Sequence, residues 1–350
     1  MKKYAMIGCG GIGQYHLNHL LQFQDIEAVA FCDLIPDRAA AFAKQAGGEV
    51  YTDYRELLDK SRPDMLFICI PPYAHGDIEM DVIKQGIPFF VEKPVSLDLN
   101  LAKRIRDEIA RAGLITAVGF QCRYSSLNPP TRTFIEQNEI SFVQCSRIGG
   151  VPEVSWWRNK TLSGGQIVEQ TIHQFDLIRF VFGEPVNVFS MNARGFVRDV
   201  EDYDTDDLSV TVVRFANGAL ASISTGCYAQ DGAAFDSKLT FSSRKSRLDH
   251  YLLQRVDIYG IDQAITKDSG LVVKGDGTMA AAAASANSVD DNGQAGLTCD
   301  RTFVEAVISG DGSKILSPYA DAVKTLAFTL ACNQSIETGQ PVDMTKLLAD

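Results

Sequence analysis

The 350-residue sequence has little basic charge, no paired cysteines and no long apolar run. Lysine and arginine total 33 against 44 acidic residues, a net charge of −11. Such an acidic surface repels phosphate backbones, so we expect no nucleic-acid partner. None of the eight cysteines lies in a C-x-x-C pair, which favours buried thiols in a reducing compartment over a disulfide framework or a zinc site. No stretch approaches the roughly 18 apolar residues of a membrane span, and the N-terminal apolar run is too short for a signal peptide. We therefore expect a cytoplasmic protein with no membrane partner.

Up to about residue 121, short apolar runs alternate with helix-like segments. The predicted strands are 4–9, 27–33, 64–70, 88–91 and 114–120, and the predicted helices are 12–23, 36–46, 76–85 and 99–112. Short apolar strands separated by helices of about ten residues indicate βαβ units and a parallel sheet. Residues 1–121 are therefore predicted to form one α/β domain.

After residue 122 the strand-like runs become longer and closer to strict alternation. The triplet Ala216-Asn217-Gly218 is typical of a hairpin turn. Residues 122–350 are predicted to form a second α/β domain, with an open, largely antiparallel sheet and helices at 129–138, 170–182, 298–309 and 317–338. Residues 279–296 are low in complexity, and the alanine run there fits a helix or a loop equally well.

A glycine-rich loop follows the first predicted strand and opens the first predicted helix. In Gly8-x-Gly10-x-x-Gly13, the first glycine allows a tight turn, the second lets the backbone approach a pyrophosphate, and the third lets the helix pack on the strand. Asp33 ends the second strand about twenty residues later, where a carboxylate accepts hydrogen bonds from both ribose hydroxyls of adenosine and repels a 2′-phosphate. The sequence predicts a dinucleotide site that prefers NAD to NADP, formed by Gly8, Gly10, Gly11, Ile12, Gly13 and Asp33.

Further motifs follow in a fixed order along the whole chain. They are CIPPYAHGDIEM (69–80), FFVEKPVSLD (89–98), GFQCRYS (119–125), GGQIVEQTIHQFD (164–176) and the closing stretch 317–342. In this combination the chain resembles the Gfo/Idh/MocA oxidoreductases, which include glucose–fructose oxidoreductase and inositol dehydrogenases. The resemblance implies a Rossmann domain followed by an α/β domain whose open sheet mediates oligomerisation, so we expect a homodimer or homotetramer. It adds these residues to the cofactor side: Ile70, Pro71, His75, Glu92, Lys93 and Gln121.

The resemblance also implies roles for Lys93, which lies near the hydroxyl being oxidised, and for His173, the usual acid/base. A nearby ammonium stabilises the alkoxide that forms when the hydroxyl proton leaves, and burial beside a cationic nicotinamide is expected to lower the pKa of Lys93. The family pattern D-x-G-x-H-x-x-D is altered here, because Glu169 and Thr171 replace the usual aspartate and glycine. Glu169 keeps its i, i+4 spacing to His173 and joins the predicted catalytic residues, but its extra methylene changes the hydroxyl it can reach.

Other polar and aromatic residues have two interpretations. Arg123, Tyr124, Trp157 and Arg158 supply donors and flat faces that suit a sugar ring, while the Trp156-Trp157-Arg158 run fits core and rim packing about as well. Asp176 is expected to orient His173 or to cap the local backbone, and His16 and His19 to be structural or exposed. The acidic run 201–207 is predicted to be a solvated hairpin loop, and no metal site is predicted.

These observations favour an NAD-dependent dehydrogenase that acts on a sugar, polyol, inositol or sugar-derived acid. The alternative is a redox-neutral sugar-modifying enzyme. Such an enzyme retains its NAD, oxidises a ring carbon transiently and then catalyses an elimination or a hydration. A non-catalytic regulator that senses the NAD/NADH ratio is a third hypothesis, but it would not need both Lys93 and His173.

Overall fold

The computed structural model describes residues 1–230, 234–260, 271–273, 279–281 and 286–349, and its first half is a parallel sheet. The strands are β1 (Lys2–Ile7), β2 (Ile26–Cys32), β3 (Glu49–Tyr51), β4 (Met65–Ile68), β5 (Phe89–Val91) and β6 (Thr116–Val118). Their order is β3-β2-β1-β4-β5-β6, so the order in which successive strands are added reverses at the boundary between β1 and β4. In sheets of this kind the ligand binds at that switch point, beyond the carboxyl ends of the strands. The predicted α/β domain with a parallel sheet is confirmed.

Helices cover both faces of this sheet. They are α1 (Gly11–Leu20), α2 (Pro36–Ala46), α3 (Tyr54–Ser61), α4 (Asp77–Lys84) and α5 (Leu99–Ala112). Pro36 occupies the first turn of α2, and the Asp98 carboxylate accepts hydrogen bonds from the first free N–H groups of α5. The sequence analysis missed β3 and α3, both short and with few buried residues to mark them.

The second half contains a nine-stranded mixed sheet. Its strands are β7 (Ile140–Gly149), β8 (Pro185–Ala193), β9 (Leu208–Phe215), β10 (Leu220–Cys227), β11 (Asp236–Ser243), β12 (Arg247–Tyr251), β13 (Arg255–Tyr259), β16 (Ala286–Asp290) and β17 (Val342–Asp343). The order is β16-β13-β12-β11-β7-β10-β9-β8-β17, and among the described strands of this sheet only β7 and β10 pair in parallel. Separately, β14 (Leu271–Val273) and β15 (Met279–Ala281) pair in an antiparallel, two-stranded sheet. The predicted, largely antiparallel sheet is confirmed, whereas part of the alanine run lies outside the described residues.

Six helices belong to this half of the chain as described, yet two of them complete the first half. They are α6 (Asn128–Gln137), α7 (Lys160–Ser163), α8 (Ile172–Val181), α9 (Ala295–Ser309), α10 (Tyr319–Thr338) and α11 (Met344–Ala349). Phe303 of α9 packs against Phe67 and Phe90 of the parallel sheet, with ring centroids 5.4 and 5.9 Å apart. Tyr319 and Leu326 of α10 belong to the core beneath the other face of that sheet. Helices from the end of the chain therefore pack on both faces of the first sheet.

Cysteine placement agrees with the sequence prediction. All eight cysteines are buried and none forms a disulfide. Among the described residues, no helix combines the length and apolar character that crossing a bilayer requires.

Candidate active site

The glycine loop has the backbone geometry of a nucleotide cradle. Gly8 adopts φ +93°, and a Cβ there would overlap the carbonyl of Cys69. A Cβ on Gly13 would overlap the carbonyl of Gly8, so this position needs glycine for α1 to approach β1. Gly10 and Gly11, in contrast, face open space, with nothing within 4 Å of an added Cβ. Since α1 begins at Gly11 with no side-chain cap, its first N–H groups face this space.

Asp33 lies just beyond β2 and is bound to the same loop. Its Oδ2 accepts from the Cys9 N–H at 2.8 Å and its Oδ1 from the Ile35 N–H at 2.9 Å. These bonds fix the carboxylate beside the cradle, and each oxygen keeps a lone pair for a ribose hydroxyl. The open glycines, the free helix N-terminus and the fixed carboxylate together fit a dinucleotide.

A pocket next to the loop brings several predicted residues together. Ile12, Glu92, Lys93, Gln121 and His173 all line it. Tyr15 lines it as well, and its hydroxyl donates to the Gln121 side-chain oxygen. Glu92 and Lys93 directly follow β5, at the carboxyl edge of the parallel sheet. They line the pocket together with Ile12, near the start of α1, and His173, near the start of α8.

Lys93 forms a buried ion pair within this site. Its Nζ donates to Glu169 Oε1 at 2.9 Å and to the Glu169 carbonyl at 3.0 Å. Glu169 Oε2 accepts from the Trp157 indole N–H at 2.7 Å, so both carboxylate oxygens are engaged. Burial alone lowers the pKa of Lys93, but Glu169 and Glu92 outweigh it and the pKa is raised. The expected downward shift is thus wrong for the protein on its own, and Lys93 remains an ammonium.

His173 remains neutral beside that ammonium. Burial, the charge of Lys93 and the charge of Arg147 lower its pKa to about 3. Its Nδ1 is buried, and within the described part of the chain it has no hydrogen-bond partner. The Phe120 ring lies edge-on at 6.2 Å and limits the orientation of the imidazole. A neutral imidazole can accept a proton, which a protonated one cannot.

Arg123 and Tyr124 lie away from this pocket. Arg123 is buried and donates to Asp176 through Nε at 2.8 Å and Nη2 at 2.5 Å, while Nη1 donates to the Leu316 carbonyl. Tyr124 belongs to the core of the parallel sheet, where its hydroxyl accepts from the Leu316 N–H. Both side chains join elements rather than face a ligand, so we do not retain them as substrate residues. Within the described residues Asp176 neither orients His173 nor caps the backbone; its oxygens accept from Arg123 and from the Thr325 hydroxyl.

The Trp156-Trp157-Arg158 run supports the packing interpretation for its central residue. Trp157 is fully buried and binds Glu169, so its ring offers no face to a sugar. Trp156 packs edge-on against the exposed Tyr73 at 6.4 Å, and Arg158 is half-buried outside the pocket lining. The acidic run 201–207 is only partly solvated, because Asp206 is buried and pairs with Lys160 and Arg194.

Of the other predicted cofactor residues, none lines the pocket. Ile70 lies close to Gly8, which places it and Pro71 at the carboxyl edge, just after β4. His75 is buried, with Nδ1 2.6 Å from Glu79 Oε1, and Glu79 Oε2 accepts from the Gly76 N–H at the start of α4. His75 and Glu79 therefore fix the loop between β4 and α4.

Sequence reasoning missed a buried charge network in the wall of the pocket. His16 Nε2 lies 3.0 Å from Glu92 Oε1, and His16 Nδ1 lies 2.8 Å from Asp300 Oδ1. The other oxygen of that carboxylate, Asp300 Oδ2, lies 2.6 Å from His19 Nδ1. Burial alone lowers the pKa of His16, but Asp300 and Glu92 outweigh it and raise the pKa to about 10. His16 thus donates from both ring nitrogens, to Asp300 and to Glu92. The available signal was the placement of His16 on the buried face of the glycine-loop helix.

Replacement of His16 with glutamine is expected to destabilise the protein more at pH 6 than at pH 10. The folded pKa lies above the unfolded value, so the stabilisation is complete below about pH 6.5 and is lost as pH rises through 10. Urea unfolding of wild type and His16→Gln at pH 6, 8 and 10 measures the difference in free energy of unfolding. A difference independent of pH would contradict the charged pairing.

The fold and site define a nucleotide-binding protein with a lysine–histidine pocket, and comparison with known proteins gives the family. Residues 2–120 match the family description "Oxidoreductase family, NAD-binding Rossmann fold", and residues 137–266 match "GFO/IDH/MocA C-terminal domain". The chain belongs to the Gfo/Idh/MocA family of NAD-binding oxidoreductases.

Curated relatives include several inositol dehydrogenases. Myo-inositol 2-dehydrogenase of Thermotoga maritima is 28% identical over 252 residues, which are 70% of this chain and 74% of that protein. Inositol 2-dehydrogenase of Rhizobium meliloti is 29% identical over 249 residues, 69% of this chain and 73% of that protein. A solved levoglucosan dehydrogenase in complex with NADH shares the fold with a TM-score of 0.81, at 18% identity, covering 98% of this chain and 99% of its own.

Proposed function

We propose that this protein is an NAD-dependent dehydrogenase that oxidises a secondary alcohol carbon of an inositol, sugar or sugar-derived acid. The observation that carries the proposal is the pocket in which cationic Lys93 and neutral His173 meet beside the glycine loop. Curated relatives that act on inositol support the substrate class.

Each side chain has a separate task in this proposal. NAD, when bound, accepts the hydride from the alcohol carbon. Lys93 holds the substrate oxygen and stabilises negative charge as the proton leaves, and His173 takes that proton on its unprotonated ring nitrogen. Glu169 holds the ammonium in place through Oε1 and is itself fixed by Trp157, so we assign it to positioning. Gly8 to Gly13, Asp33 and Gln121 hold the nucleotide.

The test incubates the purified protein with NAD and a panel of inositols, aldoses, alditols and sugar acids. NADH absorbance and product mass are followed together. NADH formation with a product two hydrogens lighter supports the proposal. Product without NADH accumulation would favour the redox-neutral alternative, and NAD binding without any product would favour a regulator.

Cofactor preference is a separate prediction. We expect NADH to bind at least ten-fold more tightly than NADPH, because the fixed Asp33 carboxylate repels a 2′-phosphate. Fluorescence titration with both cofactors measures the ratio. Equal affinities, or a preference for NADPH, would contradict the predicted preference for NADH. Asp33→Ala should reduce the ratio of the two affinities, mainly by strengthening the binding of NADPH.

The exposed face of the second sheet is proposed to form a homodimer or homotetramer. It presents large apolar side chains from four adjacent strands, namely Phe142, Met191, Val210, Val212 and Leu220. Apolar patches of this kind mark protein interfaces. We predict that light scattering gives a dimer or tetramer at micromolar concentration and that Val212→Asp shifts it toward monomer. A monomeric wild type would refute the proposal.

A further inference from the structure

One cation beside the pocket has no role in the chemistry proposed above. Arg147 lies on β7, on the same side of the strand as the buried Val143 and Cys145, and it is half-buried. Its charge lowers the pKa of both Lys93 and His173, so it lies within electrostatic range of the pair. Within the described residues, no carboxylate lies within 4.0 Å of its guanidinium, unlike the buried Arg123 and Arg179.

Gly149 borders the space in which this guanidinium lies. A Cβ on Gly149 would lie 2.5 Å from Arg147 Nη1 and 2.9 Å from Nη2, so a larger residue there would displace the guanidinium. On the neighbouring strand, the Gly226 carbonyl accepts from Nη1 at 3.2 Å, and the Cys227 sulfur lies 3.4 Å from the same nitrogen. The side chain is therefore held in one position rather than free in solvent.

The contacts leave one edge of the guanidinium available. With the Gln170 amide oriented so that its nitrogen donates to Glu169 Oε2 at 3.1 Å, its oxygen accepts from Arg147 Nη2 at 3.3 Å. Nε and the second hydrogen of Nη2 donate no hydrogen bond within the described part of the chain. In Arg123 the same edge, Nε and Nη2, binds the Asp176 carboxylate with both nitrogens. Such a two-point fork matches a carboxylate in shape and charge.

We infer that the site accepts a polyol or sugar substrate that carries a carboxylate, which binds the free edge of Arg147. The inference rests on the proposed dehydrogenase function and narrows its substrate class to aldonic or uronic acids. Glu169 is the ion-pair partner of Lys93, whereas Arg147 has no carboxylate within 4.0 Å in the described part of the chain. Gln170 links the two sites, because it contacts Arg147 on one side and the lysine partner Glu169 on the other.

The experiment compares neutral sugars with the acids that carry a carboxylate in place of the C6 hydroxymethyl group. Galactose is compared with galacturonate, and glucose with glucuronate and glucose 6-phosphate, with NAD and NADH detection. We expect kcat/KM to be about 100-fold higher for the acids than for their neutral partners. Arg147→Met should lower kcat/KM for the acids by about 100-fold, mainly through KM, and bring the acid-to-neutral ratio near one. Arg147→Lys should recover only part of the ratio, because an ammonium lacks the fork.

The control is Arg104→Met, which removes the same charge from an exposed position on α5 and should leave the ratio unchanged. A preference for the neutral sugars, or equal losses for both members of a pair in Arg147→Met, would overturn the inference while leaving the dehydrogenase proposal intact. Preference for the phosphate would overturn the carboxylate assignment. If no compound of the full panel is oxidised although NADH binds, the proposed function itself fails, and the inference fails with it.

Discussion

Lys93→Met is expected to lower kcat by about 1,000-fold while changing the dissociation constant of NADH by no more than a few-fold. Methionine fills a similar volume but cannot stabilise the developing alkoxide. Removal of the ammonium also removes one of the two charges that hold down the pKa of His173, so that pKa should rise. Stopped-flow NADH formation gives the rate, and NMR titration of the imidazole gives the pKa.

The variant needs a folding control, because it leaves the buried Glu169 carboxylate without its cation. Lys93→Met/Glu169→Gln removes that unpaired charge and should be as inactive as the single variant. Lys84→Met, at an exposed position on α4, should retain wild-type activity. More than a tenth of wild-type kcat in the well-folded double variant would contradict the catalytic assignment of Lys93.

Arg123→Met is expected to lower the free energy of unfolding by about 3–5 kcal/mol. Its guanidinium joins Asp176 of α8 to Asp321 of α10, and Asp176 is fully buried. Loss of the arginine leaves that carboxylate, among the described residues, with only the Thr325 hydroxyl as partner. Urea unfolding measures the effect, and the folded fraction should keep the KM of wild type within about three-fold.

A paired replacement separates this structural role from one in substrate binding. Arg123→Met/Asp176→Leu removes both charges and should recover most of the lost stability, since an apolar pair of similar volume avoids the desolvation cost. A large rise in KM in this double variant, with little change in stability in the single one, would return Arg123 to the substrate site.

Sequence reasoning succeeded where the determinants lie within one βαβ unit. The spacing of Gly8, Gly10 and Gly13 between a strand and a helix requires one backbone path, and the structure has that path. The alternation of β9 and β10 around Asn217 and Gly218 likewise predicted their hairpin. In both cases, residues adjacent in sequence are adjacent in space.

The partners of long polar side chains could not be predicted in the same way. Arg123 suits a sugar as well as it suits Asp176, which lies 53 positions away and fixes its role. His16 is paired with Asp300, 284 positions away, so nothing near it in sequence indicates a buried ion pair. Glu169 is likewise bound by Lys93, which lies 76 positions away, and its second oxygen by Trp157. Residue type indicates what a side chain can bind, and only the three-dimensional contacts indicate which partner it has.

The packing of the last helices on the first sheet has a consequence for how the chain folds. Phe303 of α9 completes the aromatic cluster of Phe67 and Phe90, and Arg301 of the same helix binds both oxygens of Asp25, at 2.7 Å each, ahead of β2. When only the nucleotide-binding half of the chain has been synthesised, the hydrophobic core of that half is therefore incomplete. That half must wait for residues near the end of the chain, and the two halves should melt together in one cooperative transition.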